Sequence, residues 1–407
     1  MIRRVVYLVE SPLGLRDFER FGVGGWAASG VDVEVWEVDE LFLPRERPLL
    51  IERPADCVIR QFSSMKVLSA ACRGLTRETA VIVISGVFLG EFVTHRPMLV
   101  ALMKSSAVLT TVSAGQRPLA PLDPEGPHAA SRVTYRISWQ LHTLRTRQTT
   151  IADLALKVAQ RIGASAFLMR SRLTRSGWRA LDWIWVGTDI DSIDPLFIGV
   201  DTQIRYLHSW DYDLILRMSG ADQTRPAAPV YLDAMGPLHP DFDVLPYEVE
   251  VDADQWFRVI DEALTQIERS LGEPVVIAAH PRAPRGSLES VYPAREVRYG
   301  QTAALIASAS VVLFSDPTTA LGMAAIHRKP AVAIRVPRLW DGHWLEMEEY
   351  VGMLGLEVLD VGNIPVDWVP RAVDSDAYAG FLERYVKRQG TPESPFWEEV
   401  RRDLLSF

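Results

Sequence analysis

The chain has 407 residues, a formal net charge of −9 at pH 7 and a sequence pI near 5.5. Its length exceeds what one ordinary core supports and predicts two α/β domains of roughly 150 to 220 residues each, while the acidic balance argues against nucleic acid as a partner, because nucleic-acid-binding proteins concentrate Lys and Arg. With 48% hydrophobic and 23% charged residues, and two cysteines without CxxC spacing, the composition excludes a disordered chain, a disulfide scaffold and a structural zinc site.

Strand and helix patterns alternate along the first part of the chain. The sequence opens with a β-branched run, RRVVYLVES, which is typical of a buried parallel strand and leads into a loop at residues 11–14. A helix is predicted from Leu15. Further strands are predicted at residues 31–42, 57–62, 80–85 and 107–113. This βαβα alternation predicts a mainly parallel sheet with helices on both faces.

The middle of the chain departs from this alternation. Residues 115–128 are rich in Pro and Gly and predict an exposed loop, and residues 131–162 have helical character. Three tryptophans then fall within residues 170–188. Their rings could fill the core, or they could form a sugar-stacking surface, because amphipathic rings suit the apolar faces of carbohydrates.

A second βα series follows a small, polar and Pro-rich stretch at residues 219–229, which is typical of a linker between domains. An amphipathic helix is predicted at residues 252–271. The other predicted elements are strands at 274–280, 310–315 and 331–337, a helix that starts within residues 299–302 and runs through Ser308, and a helix at 319–330. The predicted domains are 1–225 and 226–375, with C-terminal helices at 376–407.

Two polar turns follow predicted strands of the second domain. The first turn is His280-Pro281-Arg282, and the second holds the hydroxyls of Ser315, Thr318 and Thr319. The carboxyl ends of parallel strands are where open α/β sheets bind ligands. The second turn is also predicted to begin a helix, whose N-terminus favours an anion. A ring N–H and several hydroxyls at this edge therefore predict a phosphate site.

This arrangement resembles the His-Pro and Ser-Ser/Thr motifs of bacterial sialyltransferases and related nonulosonic-acid and Kdo transferases. It is also similar to the poly(glycerol-phosphate) transferases of teichoic-acid synthesis. The resemblance covers residues 230–336 and implies the GT-B fold: α/β, with two Rossmann-like domains facing a cleft and C-terminal helices packing back on the first domain.

The resemblance also implies roles for individual residues. His280 and Pro281, followed by Arg282, and either Ser315 or the pair Thr318 and Thr319 would hold the phosphate and cytidine of a CMP- or CDP-activated donor. Thr302 lies at about the place where sialyltransferases have an acidic residue that contacts the ribose. The first domain would bind the acceptor, and the second would bind the donor.

A catalytic base is required, because an acceptor hydroxyl must lose its proton as it attacks the anomeric carbon. Asp233, in the run Leu-Asp-Ala-Met-Gly, resembles the acidic motif of sialyltransferases, although it could instead bind the ribose or cap a turn. His208 and His239 are the other candidates for the base. Four further acids are interpreted as turn or helix-start residues: Asp211, Asp213, Asp241 and Asp243.

The expected reaction is an inverting single displacement without a cofactor. The resemblance implies that it needs no metal, and the DxD-like runs at residues 189–194 and 211–213 are of a kind common in loops. The predicted partners are a nucleotide-sugar donor, with a CMP-linked nonulosonic acid or Kdo favoured, and a glycan or lipid-linked glycan acceptor of surface-polysaccharide synthesis. No stretch approaches the ~20 apolar residues of a membrane helix. The expected location is the cytoplasm, where any contact with the inner membrane would be peripheral.

Two other functions fit parts of the sequence. A non-hydrolysing UDP-sugar 2-epimerase would share the fold, but its His-Arg-x-Glu-Asn and Glu-Ser motifs are missing from the sequence. An inactive nucleotide- or glycan-binding scaffold subunit would fit the departures from the acidic motif at Asp233.

Overall fold

A computed structural model describes residues 1–42, 51–55, 57–84, 92–114, 179–187, 193, 197–218, 227–239, 242, 249, 251–339 and 343–407. These residues form two compact units. The first unit comprises Met1–Ala114, the described residues from 179 to 208 and Thr391–Phe407. The second comprises the described residues of Ser209–Gly390.

The secondary structure of the described residues alternates strands and helices, as the sequence patterns predict. The strands are β1 (Arg4–Val9), β2 (Asp32–Glu37), β3 (Val58–Gln61), β4 (Thr79–Ile84), β5 (Val108–Ser113), β6 (Trp183–Val186), β7 (Gln203–Tyr206), β8 (Val230–Leu232), β9 (Val276–Ala278), β10 (Val297–Arg298), β11 (Val312–Phe314), β12 (Ala331–Arg335) and β13 (Glu357–Asp360). The α-helices are α1 (Leu15–Arg20), α2 (Asp39–Phe42), α3 (Met65–Arg73), α4 (Phe92–Met103), α5 (Trp210–Arg217), α6 (Ala253–Leu271), α7 (Thr302–Ser308), α8 (Leu321–Ile326), α9 (His343–Leu354), α10 (Ser375–Phe381) and α11 (Phe396–Ser406).

Both units contain a fully parallel sheet with the same winding. The first sheet has the order β3-β2-β1-β4-β5-β6-β7, and the second has the order β10-β9-β8-β11-β12-β13. Each sheet begins in its centre, runs to one edge and then returns to the other side of its first strand, which is the Rossmann order. The central strands β1, β5, β8 and β11 are almost entirely buried, as is typical of a parallel sheet covered on both faces. The predicted two-domain Rossmann-like α/β fold is confirmed.

The long helix of the second unit shows how local sequence defines an element. Asp252 caps the start of α6, where its carboxylate accepts hydrogen bonds from the backbone N–H groups of Asp254 and Gln255. Gly272 ends the helix in the left-handed conformation with φ 70°. The predicted apolar stripe faces the core of the second unit, with Trp256, Ile260 and other members buried. The prediction of this helix is confirmed.

The C-terminal helix α11 packs on the first unit. Arg205 on β7 forms ion pairs with Glu399 and Asp403 on α11, and Trp185 Nε1 donates a hydrogen bond to Asp403 Oδ2 at 2.8 Å. Trp397 Nε1 donates to the carbonyl oxygen of Arg20 at 2.7 Å. Trp185 is fully buried and is therefore a core residue, not part of a sugar-stacking surface.

Helix α10 packs in the second unit, although the sequence predicts that the helices of residues 376–407 return to the first domain. It lies against α8 and α9, and Tyr378 Oη donates to the carbonyl oxygen of Lys329 at 2.9 Å. The chain passes from one unit to the other between residues 208 and 209 and again between 390 and 391. The predicted domain boundaries are 225/226 and 375/376. Residues 115–178, most of the predicted linker, and DIDSID apart from Ile193 lie outside the described residues.

Candidate functional site

Three polar turns meet the carboxyl edge of the second sheet at its centre. Asp233 follows β8, His280 lies two residues beyond β9, and Ser315 follows β11. Strands β8 and β11 are the neighbours between which the order of the sheet reverses. In doubly wound sheets the crevice at this reversal is the usual ligand site. The topology therefore brings the predicted Asp233, His280 and Ser315 to one place.

Asp233 is a buried carboxylate that fastens two of these turns. Its side chain accepts a hydrogen bond from Tyr292 Oη at 2.9 Å, one from the backbone N–H of Met235 at 3.1 Å and one from the backbone N–H of His280. Burial raises the pKa of Asp233 to about 6, while the three hydrogen bonds act in the opposite direction. Asp233 is 5% exposed. Its contacts hold the turns together, in keeping with the turn-capping alternative, and its role as catalytic base stays a prediction.

The turn after β8 approaches helix α6 closely. Met235 and Gly236 both adopt left-handed backbone conformations, with φ 62° and 47°. This conformation is uncommon for a residue with a side chain, and here the hydrogen bond from Met235 N–H to Asp233 supports it. A Cβ atom on Gly236 would lie 2.2 Å from Trp256 Nε1. The backbone at this position therefore packs directly on the Trp256 ring.

We expect Gly236→Ala to destabilise the second unit through this close approach. Overpacking against the ring costs about 1–3 kcal/mol, in addition to roughly 1 kcal/mol for a side chain in the left-handed region. Gly272→Ala is the matched control, since Gly272 has φ 70° and open space around its Cβ position. In urea denaturation, the free energy of unfolding should fall more for Gly236→Ala than for Gly272→Ala. Equal decreases in the two variants would contradict the close approach of Gly236 to Trp256.

The His280 turn presents an imidazole whose hydrogen bonds define its tautomer. Its Nδ1 accepts from the backbone N–H of Arg282 at 3.2 Å, so the neutral ring carries its proton on Nε2. Ala283 N–H closes the turn on the carbonyl oxygen of His280 at 2.9 Å. The His239 ring lies edge-on to His280 with their centroids 4.8 Å apart, and both rings are partly exposed. Pro281 is exposed, and Arg282 is half-buried.

Ser315 is directed into the protein. It is 0% exposed, and its Oγ lies 2.6 Å from Tyr231 Oη. Its carbonyl oxygen accepts from His343 Nε2 at 3.1 Å, because His343 Nδ1 already accepts from Leu339 N–H at 3.3 Å. The Ser315 hydroxyl is therefore committed to an internal contact, and a ligand at this turn would meet Thr318 and Thr319, which are half-buried.

The predicted helix at 319–330 is shorter in the structure. Helix α8 has six residues, begins at Leu321 and has Ala320 as its N-cap without a side-chain cap. Thr318 Oγ1 accepts from Ala320 N–H at 3.2 Å, so the hydroxyls precede the helix instead of lying in its first turn. The helix ends early because Arg328 takes a left-handed conformation with φ 50°.

The other predicted site residues have different surroundings. Thr302 is the first residue of α7, with Gln301 as N-cap, and it follows β10, two strands from β8. His208 is 0% exposed, and its Nε2 lies 2.9 Å from the carbonyl oxygen of Ser394 in the first unit, which argues against a role as base. Asp211 and Asp213 lie in the first turn of α5, as predicted. Asp241 and Asp243 lie outside the described residues.

The site contains three further residues that the sequence patterns do not predict. Tyr231, Tyr292 and His343 are buried polar side chains that hold the turns from below. Burial and the nearby Asp233 carboxylate raise the pKa of both tyrosines well above its usual range, so both hydroxyls stay protonated. For Tyr231 the sequence holds a signal, because a tyrosine inside a buried strand needs a hydrogen-bond partner for its hydroxyl.

Among the described residues, no group of three or more His, Cys, Asp and Glu side chains is arranged to hold a metal ion. None of the helices in that part of the chain combines the length and the apolar character needed to cross a membrane.

Neither a protein-family model nor a curated protein matches the sequence. Solved structures that resemble the chain include MurG of Acinetobacter baumannii, with a TM-score of 0.43 and 11% identity over 100% of both chains. The glycosyltransferase of kitacinnamycin has a TM-score of 0.44 and 11% identity, over 99% of this chain and 100% of that one. Phytolacca americana UGT2, solved with UDP-2-fluoroglucose and pterostilbene, has a TM-score of 0.42 and 10% identity, over 100% of this chain and 94% of that one.

Proposed function

We propose that the chain is a glycosyltransferase that binds the phosphate of a nucleotide-sugar donor at the carboxyl edge of its second sheet. One observation carries this proposal. The His280 turn and the Thr318–Thr319 turn flank the point where the strand order reverses, and buried hydrogen bonds run beneath both. Fixed donors at such an edge suit an anion whose charge grows as a bond to it breaks.

Each exposed group at the edge has a role in this proposal. His280 Nε2 and the Arg282 guanidinium donate to the phosphate, as do the hydroxyls of Thr318 and Thr319. Pro281 restricts the backbone of the His280 turn. Thr302, at the start of α7, lies on the side where the ribose would bind.

The reaction is a single displacement with inversion. The acceptor oxygen forms a bond to the anomeric carbon while the bond from that carbon to the donor phosphate oxygen breaks, and the phosphate leaves with the electron pair. Asp233 is buried, so we assign the acceptor proton to the partly exposed His239, which is beside His280. The reaction needs no metal in this scheme. Acceptor binding is assigned to the first unit.

The donor is a CMP-linked sugar of the nonulosonic acid or Kdo kind, on the strength of the His-Pro and Ser/Thr resemblance. The acceptor is a glycan or lipid-linked glycan, and the product belongs to surface-polysaccharide synthesis. The enzyme would act in the cytoplasm, with at most peripheral contact to the inner membrane.

Nucleotide binding tests the proposal directly. At a hundredfold excess over Kd, a ligand stabilises the folded protein by about 2.7 kcal/mol, which raises Tm by roughly 5 °C or more in a domain of this size. We expect CMP or CDP to give this shift in the wild-type chain, UDP and GDP to give less, and His280→Ala to lose most of it. The absence of a shift with all four nucleotides would contradict the transferase proposal, and a shift with UDP alone would correct the donor.

A second function is favoured by the burial of Asp233, which removes the acid that most resembles a catalytic motif. The chain would then bind a nucleotide-sugar as a scaffold subunit without turning it over. Release of free nucleotide from the donor separates the two functions, because a binding subunit would be stabilised by nucleotide and release none above the uncatalysed rate.

A further inference from the structure

A connected set of buried side chains lies beneath the candidate phosphate site. Ser315 Oγ contacts Tyr231 Oη at 2.6 Å, and the Tyr231 and Tyr292 rings meet edge to face with centroids 6.3 Å apart. Tyr292 Oη donates to Asp233 Oδ1 at 2.9 Å. Asp233 also accepts from the backbone N–H groups of Met235 and His280. The set thus begins at the turn after β11 and ends at the turns after β8 and β9.

The chemistry of Asp233 sets the direction of the hydrogen bond at one end of this set. A carboxylate only accepts, so Tyr292 uses its single proton on Asp233 when Asp233 is ionised. Between Tyr231 Oη and Ser315 Oγ, either hydroxyl can be the donor.

We propose that Tyr231 and Tyr292 are positioning residues that keep the His280 turn and the Thr318–Thr319 turn in register on one donor phosphate. The inference rests on the proposed function. Neither tyrosine touches the ligand, since both are buried. They act through the atoms they anchor, the backbone N–H of His280 at one end and Ser315 Oγ at the other.

The geometry explains why two tyrosines would serve this purpose. The turns belong to strands β9 and β11, which are separated in the sheet by β8. Tyr231 lies on that intervening strand, and Tyr292 comes from the loop after β9. Their rings are edge-to-face with centroids 6.3 Å apart, and their hydroxyls lie beside Ser315 Oγ and Asp233 Oδ1. A rigid support of this kind matters because small misplacements of phosphate donors cost large factors in rate.

Phenylalanine substitutions test the proposal with the full-length protein. In Tyr231→Phe and Tyr292→Phe we expect kcat for sugar transfer to fall about 10- to 100-fold, accompanied by a weaker Kd for the CMP or CDP that stabilises the wild type. The double variant should be little worse than either single variant, because one break already uncouples the turns.

Tyr378→Phe is the matched control for loss of a buried phenol. Tyr378 Oη donates to a backbone carbonyl within the same unit, away from the sheet edge. We expect it to lower Tm by an amount similar to that of the site variants while kcat, donor KM and nucleotide Kd stay at wild-type values. This comparison separates a positioning role from general stabilisation.

The outcomes also separate the two proposals. If the wild type binds nucleotide or transfers sugar, but the Tyr231 and Tyr292 variants retain wild-type kcat and nucleotide Kd, the positioning role is overturned and the function stands. If losses in the double variant are fully additive, the coupling between the turns is overturned. If the wild type neither binds nucleotide nor transfers sugar, the proposed function fails, and the positioning role fails with it.

Discussion

We expect His280→Ala to lower kcat/KM for a CMP-sugar donor about 10- to 100-fold, because in the proposed function the ring N–H of His280 donates to the leaving phosphate. Hydrogen bonds to charged groups contribute roughly 1.5–3 kcal/mol, and 1.36 kcal/mol corresponds to a factor of ten in rate. Steady-state kinetics at varied donor concentration measures the change. The effect should appear in kcat as well as KM, since the phosphate gains charge in the transition state.

His280→Asn separates the ring donor from the structure of the turn. In the wild type, Nδ1 accepts from Arg282 N–H, and the Asn side-chain oxygen can accept from the same group two residues along. The variant therefore keeps the local turn and loses only Nε2. We expect its activity to be as low as that of His280→Ala. Recovery of wild-type activity by Asn would mean that the turn matters and the ring donor does not. Arg285→Ala, on the exposed part of the same loop, is expected to leave activity unchanged.

Asp233→Ala is expected to be the most destabilising change at this edge of the sheet. It leaves Tyr292 Oη and the backbone N–H groups of Met235 and His280 without the acceptor they share. Each buried donor without a partner costs about 1–3 kcal/mol, so the free energy of unfolding should fall by roughly 3 kcal/mol or more. Asp233→Asn keeps one acceptor oxygen, so its free energy of unfolding at neutral pH should fall less than that of Asp233→Ala. Urea denaturation at pH 7 gives both values, and a loss under about 1 kcal/mol for Asp233→Ala would contradict the assigned contacts.

The pH dependence of stability carries the signature of the same carboxyl group. Burial holds the pKa of Asp233 at about 6 in the folded protein, above its ordinary value of 3.8. The folded state therefore binds the proton more tightly, and the stability this provides is complete below about pH 4 and is lost as pH rises through about 6. This difference between the two pKa values corresponds to a free energy of unfolding on the order of 3 kcal/mol.

Comparison with Asp233→Asn isolates this titration. Between pH 4 and pH 7 the free energy of unfolding of the wild type should fall relative to that of the variant. Tyr231 and Tyr292 stay protonated throughout, so neither hydroxyl contributes to this change. Parallel stability curves across this range would contradict a buried Asp233 with a raised pKa.

Much of the fold follows from local patterns in the sequence. Strands β1, β4 and β11 consist mainly of continuous apolar runs, and this pattern arises because a covered parallel sheet buries both faces of its strands. Helix α6 is predicted by its apolar stripe, with a cap at Asp252 and Gly272 at its end. Strands such as β7 and β10 were not predicted, because they are short and only partly buried. These segments are strands because they pair with neighbouring strands, and no pattern in their own residues predicts it.

The sequence by itself determined that polar turns follow buried strands at His280 and at 315–319, because the ends of such runs are visible in the order of residues. Only the tertiary structure decided which polar atoms remain available to a ligand. Tyr292 lies 59 residues from Asp233, and Tyr231 lies 84 residues from Ser315, yet their hydroxyls occupy the carboxylate and the serine hydroxyl. A buried polar group takes whichever partner packing brings to it, and for Asp233 and Ser315 that partner is distant along the chain.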